Sequence, residues 1–153
     1  MNTRENLHLY EEVFLLALKD KEGTVFATVN YRHALAGAII AELLLRNIAK
    51  VENSRWGKFL VLNNDLPVGD EILDECISRV SKAKRRAQVK DWVQRIANMP
   101  KMKTRVAQQL CRKKVLKEQE EKVLFIFKHR IYPEVDPRPE RNIINKLEKA
   151  IFG

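Results

Sequence analysis

The stretch from Tyr31 to Asn47 reads as a helix with almost no polar face. Ala34, Leu35, Ala38, Ile39, Ile40, Ala41, Leu43, Leu44 and Leu45 occupy it nearly all the way round. A helix that is apolar on every side is stable only when buried, so this one is expected at the centre of the domain. Glu42 and Arg46 stand four residues apart on it, a spacing that lets them pair across one turn. The most apolar part, Ala34 to Leu45, is twelve residues long and contains Glu42. It is too short and too polar to span a bilayer, so any membrane contact is expected to be peripheral. The 153 residues suffice for a single domain, 1–153, with a real core.

Around this centre the pattern stays mostly helical. Leu9, Val13 and Leu16, with Phe14, Leu15 and Leu18, predict a helix over 8–19 that ends before Gly23. Val25 to Val29 is short and β-branched and predicts a strand. Ile48–Val51 and Lys58–Leu62 flank Asn53-Ser54-Arg55-Trp56-Gly57, which predicts a small hairpin. Pro67-Val68-Gly69-Asp70 breaks the chain, and Asp70 is placed to cap a helix carrying Ile72, Leu73, Cys76 and Val80. Val89, Trp92, Val93 and Ile96 mark a further helix, or the same one after a kink, and Pro100 ends it. Met102, Val106 and Leu110 mark the next helix, and Val123 to Phe127 reads as one arm of a second hairpin. Tyr132 to Pro137 is a turn-rich connector, and Ile143, Ile144, Leu147 and Ile151 mark the last helix. The order helix, hairpin, helix thus occurs over 31–80 and again over 101–151. The expected fold is mostly α: a compact helical domain around a buried central helix, with two small β-hairpins in winged-helix-like units.

No catalytic constellation stands out, and no enzymatic activity is expected. The sequence has no Gly-rich phosphate loop, nucleophile elbow or zinc-protease motif. The acid pairs Glu11-Glu12, Asp70-Glu71 and Asp74-Glu75 fit helix N-termini and solvated faces, which favour acids without any chemistry. General acid–base work is the sharper alternative for them. His33, at the approach to the central helix, reads as a surface or capping residue. Cys76 and Cys111 lie among apolar residues and read as reduced thiols in or near a core, with a disulfide as the alternative. Two Cys with the scattered His8, His33 and His129 give no metal-ligand spacing, so neither metal nor cofactor is expected. The start, Met1 to Asn6, has no apolar run behind a basic residue and predicts no secretory signal. Asn2 and the final Ile151-Phe152-Gly153 carry no lipidation motif. A cytoplasmic protein is expected.

Charge is where the sequence is most lopsided. Arg79 to Lys117 holds fourteen Lys or Arg and one acid, Asp91, a net +13 in thirty-nine residues. The remaining 114 residues carry fifteen bases and nineteen acids, or −4. Ordinary solvated helix faces mix signs, so the bias points to an anionic partner: a membrane, a nucleic acid or an acidic protein. Arg79, Lys82, Lys84, Arg85, Arg86 and Lys90 flank Val80, Val89, Trp92 and Val93, which puts bases outward and apolar groups inward. Near an anionic leaflet each Lys or Arg contributes about 1 kcal/mol within a Debye length. Lys103, Arg105, Arg85, Arg86 and Lys90 are the candidate lipid contacts. The same charges also suit nucleic acid. Residues 101–112 followed by a hairpin resemble a recognition helix and wing, with Lys103, Thr104, Gln108, Gln109 and Arg112 toward phosphates or base edges. The 31–47 helix is too apolar to lie in a groove. A scaffold for an acidic protein is the third class.

Five segments, in order, resemble the Golgi phosphoprotein 3 family. They are His8 to Gly23, Leu35 to Arg46, Pro67 to Glu75, Lys113 to Leu116 leading into a strand, and Tyr132 to Asp136. The resemblance covers nearly the whole chain and identifies a divergent, bacterial-type or C-terminally short member, since family domains continue with further helices beyond Phe152. It implies a mostly helical cytosolic domain with a β-hairpin that binds membranes peripherally. Eukaryotic members recognise phosphatidylinositol 4-phosphate on the cytosolic face of the Golgi and help retain glycosyltransferases there. Their pocket uses a Trp and an Arg at the approach to the central helix, which fall here on Ala27 (or Thr28) and Ala36. Two further Arg of that pocket fall near Pro100 and on Lys103, so Lys103 alone keeps a charge. That pattern implies a broad electrostatic footprint rather than a selective phosphoinositide pocket. The family's hairpin contributes to self-association and membrane contact. Here that role falls on Leu124, Phe125, Ile126 and Phe127 and implies a homo-oligomer, with a plain packed strand as the alternative.

Overall fold

A computed structural model describes residues 7–18, 31–123 and 127–152, with the backbone alone over 119–123 and 127–131. Among these residues there are six helices and two antiparallel hairpins. In chain order they are α1 (Leu9–Ala17), α2 (Tyr31–Leu45), β1 (Ala49–Ser54), β2 (Gly57–Leu62), α3 (Glu71–Ser81), α4 (Val89–Ala97), α5 (Met102–Arg112), β3 (Gln119–Val123), β4 (Phe127–Ile131) and α6 (Arg138–Phe152). The fold is mostly α with two small hairpins, as the periodicity predicts. The chain divides into two units, Arg32–Pro100 and the combination of Met1–Tyr31 with Lys101–Gly153. The strand expected over 25–29 lies outside the described residues.

The 32–100 unit is built on α2, which buries Leu35, Ala36, Ala38, Ile39, Ile40 and Leu43. Its burial is not all-round, because Leu45 is 77% exposed. The helix starts at Tyr31, as expected, but stops at Leu45, short of residue 47. Asn47 adopts the left-handed conformation at φ 58°, and the Ile48 N–H returns to the Leu43 carbonyl at 2.9 Å. Asn tolerates that conformation better than most residues, so it closes the helix where a Gly would otherwise be expected. Glu42 and Arg46 pair at 2.7 Å, as their spacing predicts. β1 and β2 pair from Ala49↔Leu62 to Ser54↔Gly57 around the two-residue turn Arg55-Trp56.

α3 and α4 both contact β2. Asp70 caps α3, its carboxylate accepting the Leu73 N–H at 2.8 Å. Asp74 accepts from the Val68 and Gly69 N–H groups, so these acids organise the break at 67–70. α4 is a separate helix, not α3 continued after a kink. Between them the chain runs beside β2: Leu60 N–H donates to the Ala87 carbonyl at 3.1 Å, and Phe59 bridges to Gln88. Leu60, Ile72, Leu73, Ile77, Trp92 and Ile96 are buried, each large apolar side chain contributing about 1.5–3 kcal/mol. Cys76 is a buried free thiol with its Sγ 3.8 Å from the Met99 Sδ.

In the other unit α1 contacts α5 and α6. Tyr10, Phe14 and Leu15 are buried, as are Met102, Val106 and Leu110. α1 begins at Leu9 rather than 8, because His8 is its N-cap. Glu11 is wholly buried. Its carboxylate accepts from the His8 N–H at 2.9 Å, the Gln109 Nε2 and the Lys113 Nζ at 2.6 Å. This acid is a structural tie between α1 and the end of α5. Lys114 stands in the left-handed region at φ 61° and closes α5, with the Val115 N–H bonded to the Leu110 carbonyl at 3.0 Å. The second hairpin pairs Gln119↔Ile131 through Val123↔Phe127. The 123–127 stretch is therefore not one arm: Val123 ends one strand and Phe127 opens the other. On α6 Ile143 is buried, while Ile144, Leu147, Ile151 and Phe152 are exposed.

Candidate functional site

The basic stretch divides at Pro100 between the two units. In the 32–100 unit it follows α3, passes along β2 and enters α4. Five bases lie between Lys82 and Lys90, all exposed. Arg86, an expected lipid contact, is already engaged. Its guanidinium lies 3.2 Å from the Glu52 carboxylate and 4.3 Å from the Phe59 ring centroid. Glu52 and Phe59 are direct cross-strand partners, so one Arg covers both. Arg79 is held by Glu75 at 2.9 Å, and Arg95 stacks over Trp92 at 4.7 Å. Lys82, Lys84, Arg85 and Lys90 have no ion-pair partner among the described residues.

A cavity of about 350 Å³ opens beside this segment, lined by Leu60, Asp65, Ser81, Arg85, Arg86 and Trp92 among others. The Ser81 hydroxyl donates to Asp65 at 3.1 Å, which occupies part of the one carboxylate that lines it among the described residues. The Trp92 indole N–H is buried without a hydrogen-bond partner among the described residues. An orphaned donor of this kind costs about 1–3 kcal/mol.

At the turn of the first hairpin Trp56 is 69% exposed, with the Arg55 guanidinium 4.6 Å from its ring centroid. Hydropathy periodicity did not single out this residue. The available signal was a large aromatic in a two-residue turn, where no core can receive it.

Lys103 and Arg105 lie in the other unit, half-buried on α5. The structure thus places Arg85, Arg86 and Lys90 within one short segment and Lys103 and Arg105 apart from it in sequence and unit. Gln109, expected among the nucleic-acid contacts, is buried and donates to Tyr10 and Glu11. It is committed to the interior and cannot read a base edge. Leu124, Phe125 and Ile126 lie outside the described residues, and Phe127 opens β4. Among the described residues no group of three or more His, Cys, Asp or Glu is arranged to hold a metal. No helix among them is long and apolar enough to cross a membrane.

Residues 9–153 match the family model for Golgi phosphoprotein 3 (GPP34). The chain belongs to the Golgi phosphoprotein 3 family. It is 29% identical over 166 aligned positions to the vacuolar protein sorting-associated protein 74 of Eremothecium gossypii, an alignment that covers 95% of this chain and 50% of that protein. The chain thus spans about half the length of that curated relative. In this Golgi phosphoprotein 3 family member, Ala36 is buried on α2 and Pro100 is exposed. Neither supplies a cation. Ala27 and Thr28 lie outside the described residues, and Lys103 is the charged position that the resemblance carries over.

Proposed function

We propose that the chain is a non-enzymatic, peripheral module that docks reversibly on anionic lipid. The observation that supports this reading is the set Lys82, Lys84, Arg85 and Lys90, exposed and without ion-pair partners among the described residues. About four such cations supply roughly 4 kcal/mol near an anionic leaflet, a millimolar attraction. That is enough to concentrate the protein at a surface and too little to hold it there permanently. Lys103 and Arg105 on α5 form a second cationic set. The family ligand phosphatidylinositol 4-phosphate is, in this proposal, one anionic lipid among several, because Lys103 stands without the cations that complete a pocket. The proposed site of action is the cytosolic face of the Golgi where the host has one. Self-association through the second hairpin, with Leu124, Phe125, Ile126 and Phe127, belongs to the same reading.

Vesicle co-sedimentation tests it. The protein is expected to pellet at low salt with vesicles containing phosphatidylserine or phosphatidylinositol 4-phosphate, and to stay in the supernatant with pure phosphatidylcholine. Equal pelleting with neutral and anionic vesicles, or none with either, sinks the proposal. Pelleting with phosphatidylinositol 4-phosphate alone, and not with phosphatidylserine, replaces the broad footprint by a selective pocket.

A further inference from the structure

A few cations give a weak, salt-sensitive attachment, so a docking surface of this kind gains most from one apolar group that leaves water on contact. The first hairpin holds such a group in a fixed position. The Trp56 N–H donates to the Ser54 Oγ at 3.1 Å, and the Gln88 side-chain amide donates to the Trp56 carbonyl at 3.1 Å. Gly57 follows at φ +133°, and a Cβ there would come within 2.6 Å of the Gln88 side chain. The backbone of the turn is thus tied to the segment that carries the bases, while the indole above it faces solvent, 69% exposed. Arg55 stacks on that ring, and Lys58 opposite Asn53 is exposed. The nearest carboxylate on the hairpin, Glu52, is occupied by Arg86 at 3.2 Å and by Lys50 at 3.8 Å.

We propose that Trp56 enters the headgroup layer of an anionic membrane as the apolar anchor of the surface formed by the first hairpin and the 82–90 segment. Indole suits that depth, because its ring is apolar and its N–H reaches a polar partner. Arg55 on the ring and Lys58 on the adjoining strand supply the charge that lipid phosphates complement. An acidic protein surface would attract the same cations. The exposed aromatic at the tip of a tied hairpin favours a soft layer that a side chain can enter from above. This inference rests on the lipid-docking reading and adds the residue that penetrates.

The chain has two tryptophans, and Trp92 is only 3% exposed, so changes in fluorescence on docking report mainly on Trp56. The full chain is titrated with phosphatidylcholine–phosphatidylserine vesicles while emission, quenching by spin-labelled lipid and pelleting are followed in parallel. The expected result is a blue shift with quenching from the bilayer. Trp56→Ala is expected to lose the shift and about tenfold or more in partition, the effect of roughly 60 Å² of indole leaving water. Trp56→Phe should retain most of the partition. Trp56 is exposed at a turn, so circular dichroism of both variants should match the wild type. Pelleting without a blue shift, and equally strong in Trp56→Ala, overturns the anchor and leaves electrostatic docking in place. Absence of wild-type pelleting overturns the docking reading and the anchor together.

Discussion

The side-chain amide of Gln88 donates to the main-chain carbonyl of Trp56 at 3.1 Å. This bond joins the turn of the first hairpin to the last residue before α4. With the Phe59–Gln88 bridge and the Leu60–Ala87 bond, it fastens the end of the basic 82–88 segment to the hairpin. The α4 N-terminus is fixed by the same residue, since the Gln88 N–H donates to the Asp91 carboxylate at 3.2 Å. The exit of a segment rich in mutually repelling cations is thereby fixed.

Gly57 is where that path tolerates least. Its φ of +133° is a conformation that a side chain rarely adopts, and an added Cβ would collide with Gln88. Gly57→Ala is expected to lower stability by about 1–3 kcal/mol, read as a fall in the urea midpoint. An unchanged midpoint would show that the turn has room the geometry denies.

The tie between Glu11 and Lys113 is expected to matter more than any surface pair. Glu11 is wholly buried and Lys113 mostly so. Removing the cation leaves a carboxylate in the interior with fewer partners. Lys113→Met should cost about 3–5 kcal/mol, and combining it with Glu11→Leu should recover part of that loss. Lys146→Met, by contrast, touches the Glu12 pair, which is long at 3.9 Å and solvent-facing on the Lys side, and should cost less than about 1 kcal/mol. Equal losses for Lys113→Met and Lys146→Met would contradict this ranking.

Much of the fold was legible because its signals are local. The apolar run 34–45 specified a helix that had to be buried, and Asp70 after Pro67 and Gly69 specified a capped start, now seen in its bond to Leu73. What could not be read depended on distant partners. Glu11 looked like half of a solvated acid pair because Gln109 and Lys113 are remote in sequence. Gln109 looked available to a nucleic acid for the same reason. The end of α2 was misplaced because Asn47, not Gly, takes the left-handed position. Of the candidate lipid contacts, Arg85 and Lys90 are exposed, whereas Arg86 is occupied by Glu52 and Phe59, partners 27 or more residues away in sequence. Trp56 carries no periodic signal, because hydropathy period marks residues that face a core and this one faces solvent.

Burial pushes the Cys111 thiol up, with the Glu118 carboxylate adding to the shift and Arg112 opposing it. A raised value leaves less thiolate at any given pH, so alkylation of Cys111 should be slower near neutrality than that of an exposed cysteine. Its rate-against-pH midpoint should lie above the ordinary range of about 8–9. Cys76, wholly buried, should react only after unfolding. Labelling by mass spectrometry distinguishes the two sites. A Cys111 midpoint below that of a model thiol would contradict the environment described.

If exposed cations of the 32–100 unit hold the protein on anionic lipid, a charge-reversed variant should lose its partition to vesicles. Lys84 and Arg85 are exposed and have no ion-pair partner among the described residues, so Lys84→Glu with Arg85→Glu should leave the melting temperature nearly unchanged. Losing about 1 kcal/mol per cation predicts a fall of roughly thirtyfold or more in partition to phosphatidylserine-containing vesicles at low salt. The wild type should approach the variant as added salt screens its charges. A double variant that partitions like the wild type, with the same salt dependence, would show that these cations do not hold the protein on lipid.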